Sequence, residues 1–118
     1  MGARVLVVQS RETMAYATCR AFHDAGLETS VALDGDTAVR LAVTDPPDAV
    51  VFDLTLAVLD GWFVLSALGA RTPRPQLVAF GRPADVQRAT QLGADACVYE
   101  RDRLVAAVVR ALDRVPVA

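Results

Sequence analysis

The chain has 118 residues, of which 53% are hydrophobic and 22% charged, and its formal net charge is −2. This predicts one domain over residues 1–118 with its own core. With no apolar run near the ~18–20 residues of a membrane span and no basic-then-apolar leader, the expectation is a cytoplasmic protein without membrane contact. All twelve positive residues are arginines, scattered along the chain, which argues against nucleic-acid binding. Cys19 and Cys97 lack metal-ligand spacing and read as reduced core thiols.

Arg4–Gln9 is an apolar run that reads as a first, central strand. Ser10 offers an N-cap to a helix over about Arg11–Ala25, which Gly26 ends. Leu27–Ala32 reads as an edge strand diluted by Glu28, Thr29 and Ser30. Asp34-Gly35-Asp36 is a turn leading into a helix over Asp36–Thr44, stopped by Pro46-Pro47. Ala49–Phe52 is a continuous apolar run, as in a parallel strand covered on both faces, and it closes on Asp53. Asp60-Gly61 reads as a turn before a third helix over about Trp62–Ala70. The connector Thr72–Pro75 leads to a fourth strand at Gln76–Phe80, and a helix over Ala84–Leu92 follows. Ala96–Tyr99 is the fifth strand, and Arg101–Val115 the last helix. Alternation of five strands with five helices predicts an α/β fold, with parallel strands joined by right-handed crossovers. The expected architecture is a flavodoxin-like doubly wound (βα)5 three-layer sandwich with sheet order 2-1-3-4-5. Sites in such sheets form at the carboxyl ends of the strands, which is where Asp53 lies.

The segment Asp53–Trp62, DLTLAVLDGW, resembles the phosphoacceptor segment of response-regulator receiver domains (CheY-like). In that family a strand ends on an aspartate and an Asp-Gly pair follows seven residues later; Ala57 stands where proline is usual. The Gly93–Ala96 turn, GADA, resembles another family feature, so the likeness spans nearly the whole chain. It implies that Asp53 is the phosphoacceptor position.

The rest of the family's site departs from the pattern. Mg²⁺ needs several oxygen ligands in octahedral geometry. The family's acidic pair at the end of strand one becomes Gln9 and Ser10. The next acid, Glu12, belongs to the first helical turn. The strand-four hydroxyl is missing: Phe80 or Ala79 fills its place, and neither serine nor threonine occurs between Thr72 and Thr90. The family's Lys-Pro pair becomes Glu100-Arg101, and no lysine exists in the chain to replace it from a shifted position. Cys97 takes the place of the aromatic switch residue. The resemblance therefore implies an atypical receiver with Mg²⁺ binding weak or absent, no other cofactor and no catalytic residue. One of Arg11, Arg82 and Arg101 is expected to pair with Asp53 or Glu100.

Function then falls to surfaces. On the last helix Leu104, Val108 and Ala111 join Val105, Val109 and Leu112 in an apolar arc of roughly 160°, wider than the ~100° one packed face needs. The expected interface residues are Val105, Val109 and Leu112. They would serve a homodimer or a protein partner on the face made by helix four, strand five and helix five. Trp62 reads as packing over helix three, and His23 as a surface histidine. The leading expectation is a signalling domain of two-component type that acts by phosphorylation-independent contact and is not an enzyme, with a sensor kinase among its conceivable partners. Two alternatives stay open: an active receiver phosphorylated at Asp53 by an unusual route, and a receiver controlled by a small ligand.

Overall fold

The computed structural model describes residues 2–54 and 58–113, with side chains for 2–54 and 61–113. Ala57, Arg114 and Val115 lie outside the described residues. Five parallel strands are ordered β2-β1-β3-β4-β5: β1 Arg4–Val8, β2 Glu28–Ala32, β3 Ala49–Asp53, β4 Gln76–Phe80 and β5 Ala96–Val98. The helices are α1 Glu12–Asp24, α2 Gly35–Thr44, α3 Val58–Gly69, α4 Val86–Gln91 and α5 Leu104–Asp113. Short 3-10 turns at Pro83–Asp85 and Arg101–Arg103 precede α4 and α5. The expected sheet order and helix sequence are those observed.

Alternation along the strands divides the core into two layers. Leu6, Val8, Val50, Phe52, Leu77 and Ala79 face one side, where Ala38 and Ala42 of α2, Val64, Leu65 and Leu68 of α3, and Ala89 of α4 cover them. Val5, Val7, Ala49, Val51 and Val78 face the other, under Cys19 and Phe22 of α1 and Leu104, Val108 and Ala111 of α5. Phe22 and Phe52 are fully buried, and each such burial stabilises the fold by about 1.5–3 kcal/mol. Since β3 is buried on both faces, its run is continuous rather than alternating.

Local signals explain the helix boundaries. Asp34 caps α2: its Oδ1 accepts the Thr37 N–H at 2.7 Å and its Oδ2 accepts the Thr37 hydroxyl at 3.0 Å. The Thr37 backbone bond, then the Thr37 hydroxyl, hold the Asp34 carboxyl below its ordinary range. That cap therefore contributes fully above the ordinary range, and the contribution is lost as pH falls through the lowered value. Ser10 does not cap α1. The N-cap is Arg11, without a side-chain cap. Its own N–H is taken by Gln9 Oε1 at 3.2 Å, so the entry into the helix is organised by the residue just after β1.

Asp95, from the GADA turn, joins two segments. Its Oδ2 accepts from the Leu77 N–H and from Arg74 Nη1, both at 2.8 Å, and its Oδ1 accepts from Arg74 Nη2 at 3.3 Å. This bidentate ion pair is three-quarters buried on each side. It ties the TPRP connector to the start of β5 with the charge-assisted geometry that arginine favours.

The Asp60-Gly61 pair is not a turn. Both residues lie inside α3, which starts at Val58 rather than near Trp62. A Cβ on Gly61 would sit 2.4 Å from the Asp53 carbonyl oxygen. The glycine allows α3 to press against the end of β3. A dipeptide rich in turn signal does not distinguish a bend from a close approach.

Candidate functional site

β3 and β4 pair in register Asp53↔Phe80. By alternation both side chains project on the α1/α5 side of the sheet, as does Gln9, one residue beyond β1. Three strand ends thus deliver Gln9, Asp53 and Phe80 to one spot at the carboxyl edge. Arg101 reaches it from the turn before α5.

The contacts there are specific. Gln9 Nε2 donates to Asp53 Oδ2 at 3.1 Å. The amide orientation follows from its other end, where Gln9 Oε1 accepts the Arg11 N–H. Arg101 Nη2 donates to the same Asp53 Oδ2 at 3.2 Å. The Arg101 guanidinium carbon also lies 4.3 Å from the centroid of the Phe80 ring, within cation–π range. The Asp53 side chain is only 6% exposed and that of Arg101 41%. A buried carboxylate is thereby provided with a charged partner and a neutral donor, as burial of a charge requires. The cavity among Gln9, Thr18, Asp53, Phe80, Arg101 and Leu104 has a volume of about 10 Å³, no more than roughly one water molecule needs.

Of the three arginines, Arg101 meets Asp53. Arg82 turns to Asp85 at 3.4 Å, and Arg11 is exposed at the α1 N-cap. Glu100, one residue before Arg101, is exposed and accepts from Arg103 Nε at 3.2 Å. Glu12 is exposed and accepts from the Tyr16 hydroxyl at 3.4 Å along α1, and Ser10 is exposed too. Cys97 is half-buried. Burial, and next the Asp85 carboxylate, push its thiol pKa up, which keeps it protonated and unreactive.

This donor set does not suit the divalent cation that the fold family implies. Mg²⁺ takes oxygen ligands, yet Gln9 turns N–H groups rather than its oxygen toward Asp53. Among the described residues no three His, Cys, Asp or Glu side chains gather as a metal cluster.

A family model for the response regulator receiver domain matches residues 5–108. The chain belongs to the response-regulator receiver domain family. Receiver domains are the signal-accepting modules of two-component signalling. The Francisella response regulator 1452 receiver domain superposes with a TM-score of 0.85, covering 96% of this chain and 98% of that one; at 24% identity it shows the shared fold. The transcriptional regulatory protein PrrA of Mycobacterium leprae is 42% identical over 67 residues, which are 57% of this chain and 29% of that protein. Protein-glutamate methylesterase/protein-glutamine glutaminase 6 of Anaeromyxobacter dehalogenans is 37% identical over 95 residues, 77% of this chain and 27% of that one. The chain thus spans less than a third of the length of these two relatives. No helix among the described residues is long and apolar enough to cross a membrane.

The surface around this receiver's last helix has two distinct flanks. A groove of about 510 Å³ runs beside β5, walled on the α5 side by Arg103, Ala106, Ala107, Arg110 and Ala111. Val105, Val109 and Leu112 do not line it. At 100° per residue they lie on the opposite flank of α5. Val105 and Leu112 are half-buried against the layer that holds Cys19 and Phe22 of α1. Val109 is 40% exposed. The apolar arc is thus shared between core and the α1-side flank, and the β5 flank is small and basic. Trp62 is partly buried against the α2–α4 layer, with Arg88 4.7 Å over its ring. His23 is exposed, its Nε2 2.8 Å from Thr29 Oγ1.

Proposed function

We propose that this receiver works as an atypical one, passing its signal by protein contact without phosphorylation at Asp53. One observation carries the reading: Asp53 Oδ2 is already engaged by Gln9 and Arg101 in a space of about 10 Å³. Attack on a phosphodonor needs room for the phosphoryl group and a cation to offset the charge of the two anions. Gln9, Phe80 and Glu100 supply none of the groups that would help. The domain is therefore a binding module rather than an enzyme.

The test is intact mass after incubation with a small phosphodonor, with Mg²⁺ and with chelator, beside Asp53→Asn. The expected result is an unchanged mass in every arm. A Mg²⁺-dependent gain of one phosphoryl group by the natural chain, absent in Asp53→Asn, would restore the active-receiver reading.

The contact surface proposed is the face of α4, β5 and α5, at the groove between β5 and α5, with a second copy as the simplest occupant. Small residues line most of it, with Arg103 and Arg110 on the α5 side and Asp95, Tyr99 and Glu100 on the side of β5. Light scattering of the natural chain is expected to show a dimer, reduced to a monomer by Ala106→Glu and unaffected by Val109→Glu. Dissociation by Val109→Glu alone would move the interface to the α1-side flank. A monomer at high concentration would remove the homodimer.

A further inference from the structure

We infer that Arg101 is a tethered counter-ion: its guanidinium takes over the role of the divalent cation beside Asp53 and fixes the β5–α5 connection in one conformation. The inference rests on the reading that Asp53 is not used as a phosphoacceptor, and adds how that site is held.

A bound metal ion exchanges with solvent and can be withdrawn. A guanidinium cannot leave its chain, stays charged at every pH a protein tolerates, and presents both a donor fork and a flat face. Arg101 uses both features here. Nη2 donates to Asp53 Oδ2 at 3.2 Å, and the plane lies over Phe80 at 4.3 Å. Lysine in the same place would supply charge without the flat face. Phe80, in the place of a hydroxyl, gives the arginine a surface to rest on. Gln9, in the place of an acid, adds a neutral donor, so the local charge balances without a second cation. The three departures from the receiver pattern are mutually consistent.

The mechanical consequence follows from chain position. Arg101 opens the 3-10 turn Arg101–Arg103, and Leu104, the first residue of α5, is buried directly after it. Arg103 closes the turn onto Glu100 by its N–H at 3.0 Å and by its side chain at 3.2 Å. Tyr99, Glu100 and Arg103 then line the groove beside β5. One side chain thus links the Asp53 site to the rim of that groove.

Hydrogen exchange followed by mass spectrometry on the full chain tests this. Arg101→Ala and Arg101→Gln are expected to speed amide exchange over Glu100–Leu104 by about tenfold, as loss of a local restraint does. Asp53→Ala should give the same acceleration, and the double variant no more than either single one. Arg101→Lys should recover part of the protection, and Phe80→Leu, which removes only the stacking surface, should lose part of it. Mg²⁺ or chelator should leave exchange in the natural chain unchanged. Unaltered exchange in Arg101→Ala, additive effects in the double variant, or protection of the segment by Mg²⁺ in the natural chain would overturn the inference. A phosphoryl gain by the natural chain would instead remove the functional reading, while the exchange data judge the tether separately.

Discussion

Gly61→Ala is expected to destabilise the domain by about 1–3 kcal/mol, the usual cost of overpacking, measured by urea unfolding with an unchanged m-value. The sign is informative. In an isolated helix the same change would stabilise, by up to about 1 kcal/mol from propensity alone. Here the added Cβ would meet the Asp53 carbonyl oxygen at 2.4 Å and the Asp53 carbonyl carbon at 3.1 Å. Both are main-chain atoms at the end of a strand buried on both faces, so neither yields as a flexible side chain does. Helix α3 must move outward, and Val64, Leu65 and Leu68, all buried against β3 and β4, must move with it. Steric cost therefore outweighs propensity. A stabilised Gly61→Ala would mean that α3 does not rest on the end of β3. The same displacement would disturb the main chain that aims the Asp53 carboxylate, so the variant should also loosen the contact with Arg101.

That contrast marks what a linear sequence carries. Period and punctuation convey the order of elements: the double-sided run of β3, the proline stop after α2 and the glycine ends of α1 and α4 were all legible. So was an arginine pairing with Asp53 or Glu100, although not which of the two acids it would meet across the site. Which arginine was not legible. The choice depends on the ring of Phe80, brought opposite Asp53 by strand register, and on a turn of three residues before α5. The glycine of Asp60-Gly61 was visible, but its cause was a neighbour far along the chain rather than a bend. Ser10 stands where a cap is common, but Gln9 reaches forward to the Arg11 N–H and sets the helix start. The width of the apolar arc of α5 is legible in the sequence, but not which neighbour each margin of it faces. Only the position of β5 shows that Val105, Val109 and Leu112 turn away from the groove. Asp95 gave a family-like turn but no hint of its bond to Arg74, which is long-range.

Reversing the departures at the site is expected to create a cation dependence that the natural chain lacks. In the triple variant Gln9→Asp, Ser10→Asp, Arg101→Ala, one carboxylate replaces the amide that touches Asp53, a second replaces the exposed hydroxyl of the next residue, and the tethered charge is gone. Gln9 Nε2 is 3.1 Å from Asp53 Oδ2, so an aspartate at residue 9 brings a second anion close to the first. Two such anions repel and resist joint ionisation unless a cation joins them. With chelator, the variant should therefore unfold well below the natural chain. Mg²⁺ at about ten times its dissociation constant adds roughly 1.4 kcal/mol by mass action, which for a domain of this size raises the midpoint by about 5 °C. The natural chain should show no such rise, since Gln9 offers donors and Arg101 already neutralises Asp53. Differential scanning with and without Mg²⁺ separates the cases. A flat response from the triple variant would show that residues 9, 10 and 101 do not control the cation. An equal rise in the natural chain would show that Arg101 leaves room for one. The variant retaining Arg101, with only Gln9→Asp and Ser10→Asp, completes the comparison: its guanidinium should compete with Mg²⁺, so its thermal response should fall between the other two.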